Sequence, residues 1–165
     1  MITLRAIEPE DLDLLYRIEN DVRLWNVGTS NVPYSRYVLH DYVAHATSDI
    51  YADRQVRMMI DNELGQTVGI VDLVNFDPAN RRAEIGLVIL NDYRRQGYAM
   101  ATLEQIHDYA IRILHLHQLY VYIDECNEAS LSLFRKVGYT VSGHIPDWLF
   151  DGEHYHDALL FQHVL

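Results

Sequence analysis

The sequence predicts one α+β domain, with a mixed α/β order of elements, built on a central, mostly antiparallel, twisted sheet that helices flank. A series of short β-rich segments between Val56 and Leu90, separated by turn residues, is typical of an antiparallel meander. A strand, helix, strand, helix order follows from residue 82 to residue 138. Asp151-Gly152 then lies between two β-rich runs, which is a strong hairpin signal. Because the chain has 165 residues and 49% of them are hydrophobic, we expect a single domain over residues 1–165.

The first third of the chain predicts one strand and one helix, followed by a less regular region. Residues 2–7 alternate like a short strand, and acids of the kind favoured in a first helical turn surround Pro9. Apolar residues then continue at helical spacing as far as Val22. From residue 21 to residue 53 the periodicity weakens, and we predict helix in part of this region and irregular chain elsewhere.

The remainder of the chain has clearer patterns. We predict meander strands at residues 56–60, 67–74 and 82–90. Apolar residues three or four positions apart then predict a helix of about four turns that lies on the sheet. These residues are Ala99, Leu103, Ile106, Ala110 and Ile113. Residues 119–123 predict the next strand, and Asn127 is a typical N-cap for a helix that ends near Gly138.

The charge balance limits the classes of partner. The chain has 13 Lys+Arg against 24 Asp+Glu, a net charge of −11 that repels nucleic acid and anionic membranes. We therefore expect no nucleic acid and no membrane among its partners. The single cysteine, Cys126, cannot form an internal disulfide, and residues 1–5 lack the layout of a signal peptide, which together predict a cytoplasmic protein.

The segment Tyr93-Arg94-Arg95-Gln96-Gly97-Tyr98-Ala99-Met100 joins a predicted strand to a predicted helix. Unpaired backbone N–H groups at such a helix start favour an anion, most plausibly a phosphate. Gly97 lets the backbone approach closely, and the two arginines add charge-assisted contacts. The segment lacks the Gly-Lys-Ser/Thr of a nucleoside triphosphate loop and the three-glycine fingerprint of a dinucleotide fold. A pyrophosphate suits this chemistry, and a solvated helix start is the alternative.

Three ordered motifs carry a resemblance to a known family. They are Ala83-Glu84-Ile85-Gly86-Leu87-Val88-Ile89, Arg94-x-x-Gly97-x-Ala99, and Asn127-Glu128-Ala129-Ser130 with Phe134-Arg135-Lys136-Val137-Gly138-Tyr139. With these motifs the chain resembles the GCN5-related N-acetyltransferase (GNAT) superfamily, and within it the spermidine or diamine N-acetyltransferases, over nearly all of its length. The resemblance implies a GNAT-like domain whose sheet is splayed where acetyl-CoA binds.

The resemblance also implies acetyl-CoA as the cosubstrate. The backbone of residues 87–89 would pair with the pantetheine arm like an added strand, and residues 94–100 would hold the pyrophosphate. Asn127 and the helix after it would contact the arm from the other side. The implied cofactor-binding residues are Leu87, Val88, Ile89, Arg94, Arg95, Gln96, Gly97, Tyr98, Ala99, Met100, Asn127, Ser130, Phe134 and Lys136.

For the acceptor, the resemblance implies a primary amine of a small molecule such as a polyamine or diamine. An alkylamine with a pKa near that of lysine, about 10.4, is protonated at neutral pH, so a group must take its proton. We expect Glu84 to be this catalytic base, acting through water or by orienting the ammonium group, with an ordinary surface carboxylate as the alternative. We expect Trp25, Tyr34 and Glu84 to contact the substrate, although core packing is the alternative for both aromatic residues.

The sequence departs from the resembled family at two places. A tyrosine that commonly protonates the leaving thiolate is replaced by Phe134, and water, Tyr122 or Tyr139 are the candidate substitutes. The run from residue 25 to residue 34 has no carboxylate, whereas polyamine-acetylating relatives present acids there. Two alternatives to small-amine acetylation therefore stay open: acetylation of a protein N-terminal amino group, and an acyl-CoA-binding module with weak catalysis.

Histidine spacing raises the question of a metal. His115 with His117, and His154 with His156, have spacings that are compatible with metal ligands. Because neither pair has a third and a fourth ligand in evidence, we expect no metal. An exposed sheet edge favours self-association, and at the level of the family we expect a homo-oligomer.

Overall fold

The computed structural model describes residues 1–24 and 32–165. Its strands are β1 (Thr3–Ala6), β2 (Val56–Asp61), β3 (Thr67–Asp77), β4 (Arg82–Ile89), β5 (Gln118–Asp124), β6 (Thr140–Phe150) and β7 (Tyr155–Val164). Its α-helices are α1 (Leu12–Glu19), α2 (Arg36–His45), α3 (Ile50–Asp53), α4 (Tyr98–Arg112) and α5 (Glu128–Lys136). Short 3-10 turns lie at Pro9–Asp11, Val22–Leu24 and Asn91–Tyr93.

All of these strands lie in one seven-stranded sheet with the order β1-β2-β3-β4-β5-β7-β6. Strands β1 to β4 form the antiparallel meander that the sequence predicts. Strands β4 and β5 are parallel, and β7 pairs antiparallel with both β5 and β6. The predicted mixed, mostly antiparallel sheet is confirmed, including the C-terminal hairpin.

Helices cover both faces of this sheet. Successive strand residues point to opposite faces, so Met59 and Ile60, or Ile70 and Val71, enter two different buried clusters. Residues of α4 and α5 complete the cluster that contains Ile60 and Val71. Residues of α1 and α2 complete the cluster that contains Met59 and Ile70. Helices α1 and α2 therefore pack over β2 and β3, on the face opposite α4 and α5.

Some predicted element boundaries are wrong. Helix α1 ends at Glu19, so Val22 lies in a separate turn. Helix α4 ends at Arg112, and Ile113 is 61% exposed instead of buried on the sheet. Strand β6 begins at Thr140, well before the β-rich run that precedes Asp151-Gly152 in the sequence. The first part of the strand was not predicted because a register shift between Ile145 and Leu149 breaks the alternation that marks a strand. No helix in the described ranges is long and apolar enough to cross a membrane.

An arginine on β2 ties the sheet to α1. The Arg57 guanidinium donates Nε–H to Asp72 Oδ1 at 2.7 Å and Nη2–H to Asp72 Oδ2 at 2.9 Å. Its Nη1–H donates to Glu19 Oε1 at 2.5 Å. The Arg57 side chain is 25% exposed and both carboxylates are 23% exposed. Because little water reaches these groups, each charge is stabilised mainly by its oppositely charged partner.

A buried polar contact joins α4 to the segment after α5. His107 Nε2 lies 3.1 Å from the hydroxyl of Tyr139, and the His107 ring stacks on His163 at a centroid distance of 4.5 Å. Burial, and next the charge of His163, lower the pKa of His107 from 6.5 to about 4. The folded protein therefore favours the neutral imidazole.

This contact predicts loss of stability in acid. The free energy of unfolding should fall as the pH drops from about 6.5 towards 4, because the unfolded chain takes up a proton that folded His107 does not. His107→Gln keeps a polar partner for Tyr139 but cannot titrate, so its unfolding free energy should depend less on pH. Urea unfolding across this range tests the difference, with exposed His117→Gln as the control. Equal slopes for wild type and His107→Gln would contradict the assignment.

Candidate functional site

Strands β4 and β5 part in the middle of the sheet. In the described chain their parallel pairing covers Arg82–Glu84 against Gln118–Tyr120 and goes no further. Beyond it, β4 stays paired with β3 as far as Ile89, and β5 stays paired with β7 as far as Asp124. The two strands run in the same direction, so the split opens at their carboxyl ends. The predicted splay is confirmed.

The helices that follow both strands begin at the open end of the split. Strand β4 ends at Ile89 and α4 begins at Tyr98, whereas β5 ends at Asp124 and α5 begins at Glu128. Two helix N-termini therefore bring partial positive charge to the same edge of the sheet, and the N-terminus of α4 has no side-chain cap. Crevices outside the carboxyl ends of strands are the usual ligand sites of open α/β sheets.

The start of α4 has the backbone geometry of an anion site. Gly97 is the N-cap with a φ of 85°, Arg95 has a φ of 61°, and no side chain caps the helix. The first helical hydrogen bond of α4 runs from the N–H of Ala101 to the Gly97 carbonyl, at 3.1 Å. The N–H groups of residues 98–100 precede this bond and have no partner within the helix. Alternating backbone conformations of this kind form N–H concavities that bind phosphate.

Two side chains of the same segment form hydrogen bonds with nearby backbone carbonyls. Arg94 Nε–H donates to the carbonyl of Ile89 at 3.1 Å, and Gln96 Nε2–H donates to the carbonyl of Asp92 at 3.0 Å. Both bonds fold the segment back against the end of β4. Arg94 and Arg95 are exposed, so both guanidinium groups remain accessible to an anion in solution.

A cavity of about 630 Å³ lies between α1 and the carboxyl end of β4. Its charged lining is mixed, with three arginines, Arg17, Arg23 and Arg94, and two acids, Asp21 and Asp92. Arg23 is paired with Asp21 at 2.8 Å. Acidic and basic groups therefore face the same cavity, beside the segment that carries Arg94.

The predicted site residues of α5 lie at different positions along the helix. Asn127 is the N-cap, and its Oδ1 accepts the N–H of Ser130 at 3.1 Å, so both residues lie at the open end of the split. Phe134 is only 5% exposed and packs edge-on against Tyr139 at a centroid distance of 4.9 Å. Lys136 is exposed in the last turn. The predicted cofactor contact of Phe134 is thus restricted to a small part of its ring.

Glu84 occupies the last paired position before the split. Its Oε2 accepts a hydrogen bond from Asn75 Nδ2 at 2.7 Å, and it lies opposite Val74 on β3 and Tyr120 on β5. Because Val74 shares a strand face with Ile70, Glu84 lies on the sheet face that α1 and α2 cover elsewhere. The carboxylate is half-buried and fixed in orientation.

Three aromatic residues, here called the aromatic row, follow Glu84 on this face. They are Tyr120 and Tyr122 of β5 and Trp148 of β6, with centroid distances of 6.0 Å between the tyrosines and 5.9 Å between Tyr122 and Trp148. Tyr120 pairs directly with Glu84 across the two strands, and burial, and next the charge of Glu84, raise the pKa of Tyr120. The sequence analysis named Tyr122 only as a candidate substitute for the missing acid, and it missed Tyr120 and Trp148. Tyrosines two positions apart on a predicted strand were the available signal.

The remaining predicted residues have different outcomes. Trp25 lies outside the described residues. The backbone N–H and C=O of Tyr34 both form hydrogen bonds with the Asn20 side chain, at 2.8 and 3.0 Å, which hold Tyr34 at the end of α1.

Tyr139 is 2% exposed, and its hydroxyl forms a hydrogen bond with His107. Burial raises the pKa of Tyr139 well above the ordinary value, so this residue is poorly suited to replace the missing acid. His115 and His117 lie in the loop before β5 and not on one strand face as predicted.

The anion site at α4 makes a prediction that a matched glycine can test. Gly97 (φ 85°) and Gly65 (φ 72°) both have open space where a Cβ would be, so alanine at either position costs about 1–2 kcal/mol of backbone strain. We expect Gly97→Ala, but not Gly65→Ala, to weaken coenzyme A binding by about tenfold, because only the first displaces the N–H groups that face the phosphate. Calorimetric titration with coenzyme A measures both. Equal affinities for the two variants would contradict an anion site at Gly97.

Comparisons with known proteins agree with this geometry. A family model described as an acetyltransferase (GNAT) domain matches residues 1–140. The spermidine N(1)-acetyltransferase of Escherichia coli K12 is 29% identical over 172 residues, which cover 98% of this chain and 87% of that protein. The putative ribosomal N-acetyltransferase YdaF of Bacillus subtilis is 28% identical over 167 residues, covering 97% and 89%. The crystal structure of the Vibrio cholerae spermidine N-acetyltransferase in complex with CoA and spermine has a TM-score of 0.89 at 23% identity, covering 99% of this chain and 95% of that one.

Proposed function

The chain belongs to the GNAT acetyltransferase family and is an N-acetyltransferase, and from this premise we propose that it acetylates a primary amine of a small polyamine or diamine with acetyl-CoA. The observation that carries the choice of acceptor is the position of Glu84 beside the aromatic row, at the point where β4 and β5 part. Two relatives described as spermidine N-acetyltransferases, from E. coli and V. cholerae, support the same substrate class.

The cosubstrate fits the open end of the split. Residues 87–89 of β4 lie beyond the paired part of the strand, so their backbone groups on the β5 side can pair with the amides of the pantetheine arm. The anion site at residues 97–100 would take the pyrophosphate, with Arg94 and Arg95 adding charge. Asn127 and Ser130 would contact the arm from the start of α5.

The acceptor fits the face that carries Glu84. A cationic amine is favoured by a carboxylate and by the faces of tyrosine and tryptophan rings, and an alkyl chain packs on the same rings. Trp148 is 55% exposed at the outer end of the row, which leaves this surface open to a ligand from solution. A molecule with two or more amines joined by short alkyl chains can place one amine at Glu84 and the rest of its length along the aromatic row.

The chemistry requires that the ammonium group lose a proton before attack. Asn75 holds Oε2 of Glu84, and Oε1 has no partner among the described residues, so Oε1 can take the proton directly or through water. The neutral amine nitrogen then bonds to the thioester carbonyl carbon, and backbone N–H groups near Leu87 are placed to stabilise the oxyanion. The carbon–sulfur bond breaks and the thiolate of coenzyme A leaves. The new amide nitrogen loses its remaining excess proton to that thiolate or to water.

The leaving thiolate has less need of an acid than an alkoxide would. A thiol has a pKa of about 8.5, so its anion is a tolerable leaving group, and the N-terminus of α5 supplies partial positive charge nearby. Tyr122 or water remains available to donate a proton. Phe134 therefore lowers the rate without abolishing the reaction.

Restoring the missing hydroxyl tests this view of the leaving group. We expect Phe134→Tyr to raise kcat by at least about tenfold at saturating substrates, since a positioned acid contributes about 10²–10⁴-fold. Stability should decrease, because the hydroxyl enters a site that is 5% exposed. Phe134→Leu, with no hydroxyl, is the control. An unchanged kcat for a folded Phe134→Tyr that still binds coenzyme A would contradict a missing acid at this position.

Acetyl-CoA-dependent thiol release across a panel of acceptors tests the proposed function. The panel contains spermidine, spermine, simple diamines, aminoglycosides, amino acids and short peptides with free N-termini. We expect the highest kcat/KM with the polyamines or diamines. Preference for the peptides would replace the proposal with acetylation of a protein N-terminal amino group. Coenzyme A binding without release from any acceptor would favour a binding module.

A further inference from the structure

A cluster of three different metal-ligating side chains lies where β5 leads into α5. Asp124 ends β5, Cys126 precedes the N-cap of α5, and His156 is near the start of β7. One ligand atom from each of the three lies within 4.8 Å of the other two. His156 Nδ1 is 3.5 Å from Asp124 Oδ2. Two ligands at about 2.0–2.1 Å from a tetrahedral zinc ion would lie about 3.4 Å apart, so this pair already has nearly the required separation.

The second nitrogen of His156 has the partner that a metal-bound histidine normally has. Its Nε2 is 2.7 Å from Asp151 Oδ2, in the turn of the β6–β7 hairpin. Asp151 is itself fixed, because its Oδ1 accepts the N–H groups of Glu153 and His154 at 2.8 Å each. When Nε2–H donates to Asp151, the lone pair of the neutral ring is on Nδ1, which faces Asp124 and Cys126. The hairpin turn thus sets the tautomer that a metal needs.

The charge of this region also favours a cation. Carboxylate oxygens of Asp124 and Asp151 lie 3.5 Å and 2.7 Å from the two ring nitrogens of His156. A divalent cation bound beside them would neutralise part of this negative charge.

We propose that Asp124, Cys126 and His156 form a binding site for a zinc-like divalent metal ion, with Asp151 as the residue that orients His156. A thiolate, an imidazole and a carboxylate are the donor set that zinc and cobalt accept in proteins, and three protein ligands leave one position for water. The site would join the hairpin to the segment that carries Asn127. The expectation of no metal rested on histidine spacing alone, whereas the two non-histidine ligands come from the end of β5 and the turn after it.

A neighbouring cluster fits a metal less well. Glu125, His144 and Asp157 also place ligand atoms within 4.8 Å of one another. However, His144 Nε2, the nitrogen that faces the carboxylates, is bound to Asp157 Oδ2 at 2.6 Å, while Glu125 is 3.9 Å away. All of its donors are hard or borderline, and two of the three residues are exposed. This cluster is an ion pair, and it provides the control for the experiment.

Cobalt and zinc titrations of the whole protein test the proposal. In mildly alkaline buffer, Co²⁺ should produce the near-ultraviolet band of a cobalt–thiolate bond with one equivalent bound, and Zn²⁺ should displace it. Cys126→Ser should remove the band, and His156→Ala should weaken binding of both ions. Asp151→Asn should weaken binding by about 10–100-fold, because the amide Nδ2 cannot accept the His156 Nε2–H.

Two control variants separate this site from general attraction to negative charge. Asp147→Asn removes an exposed carboxylate in the adjacent bulge, and His144→Ala removes the histidine of the neighbouring cluster. Both should leave the cobalt band and the zinc affinity unchanged. The proposal is overturned if wild type shows no cobalt–thiolate band, if His144→Ala rather than His156→Ala abolishes binding, or if Asp151→Asn matches Asp147→Asn. Circular dichroism spectra that coincide with wild type establish that each variant is folded.

Discussion

Glu84→Gln should lower kcat by about 10²–10⁴-fold near neutral pH while leaving the affinity for acetyl-CoA unchanged. The substitution keeps the size of the side chain and still accepts the Asn75 hydrogen bond, which is 2.7 Å in the wild type. What it removes is the oxygen that can take a proton from the ammonium group. The loss should shrink as the pH rises towards about 10.4, where the acceptor amine is increasingly neutral without a base.

A surface glutamate provides the matched control for this substitution. Glu104 is exposed on α4, and Glu104→Gln removes the same charge without touching the split. Steady-state kinetics of the three proteins against pH give the comparison. If Glu84→Gln retains kcat within a few-fold of Glu104→Gln at neutral pH, Glu84 is an ordinary strand carboxylate. A loss that does not depend on pH would indicate a role in binding the amine instead of deprotonating it.

Arg57→Met should reduce the free energy of unfolding by about 3 kcal/mol. The variant leaves Asp72 and Glu19, each 23% exposed, as partly buried carboxylates without their shared cation. Removing one member of a buried ion pair usually costs about 3–5 kcal/mol, and the partial exposure of this group favours the lower end. Urea unfolding monitored by circular dichroism measures the change. Adding Asp72→Asn to Arg57→Met should recover part of the loss, because it removes one uncompensated charge.

Arg112→Met shows what an exposed ion pair contributes. Arg112 is 74% exposed and pairs with Asp108 one helical turn away at 2.6 Å, so its loss should cost less than about 1 kcal/mol. The comparison removes the same charge from the whole molecule in both variants. Similar unfolding free energies for Arg57→Met and Arg112→Met would show that the contact between β2 and α1 is not a source of stability.

Much of the fold follows from local patterns that the sequence displays. The β-rich runs of β2 to β4, the apolar stripe of α4 as far as Ala110 and the Asn127 cap are all set by residues within one element, and each of them is confirmed. The long strand β6 was predicted only in its last part. Pro146 and the register shift that follows Ile145 interrupt its regular alternation. The register shift depends on how β6 pairs with β7. Such tertiary effects leave little trace in a single sequence.

The candidate site, like the fold, was predicted only in part. Segments that we propose to bind through their backbone, such as residues 94–100, can be found in the sequence because glycine and a helix start mark them. The aromatic row was not predicted as a group, since Trp148 comes from β6 and meets Tyr122 only through the sheet order. The proposed metal ligands were missed for the same reason, because Asp124 and His156 are neighbours across β5 and β7. Residues brought together by strand pairing require the structure.

The most direct measurement of the central proposal is the identity of the acetylated product. Wild-type protein is incubated with acetyl-CoA and an equimolar mixture of spermidine and a short peptide that has a free α-amino group, and the products are identified by mass spectrometry. We expect spermidine to gain one acetyl group on a primary amine, with little modification of the peptide, and Glu84→Gln to form this product far more slowly. Acetylation of the peptide with spermidine untouched, or no acetylated product at all, would contradict acetyl transfer to a small polyamine at the Glu84 face.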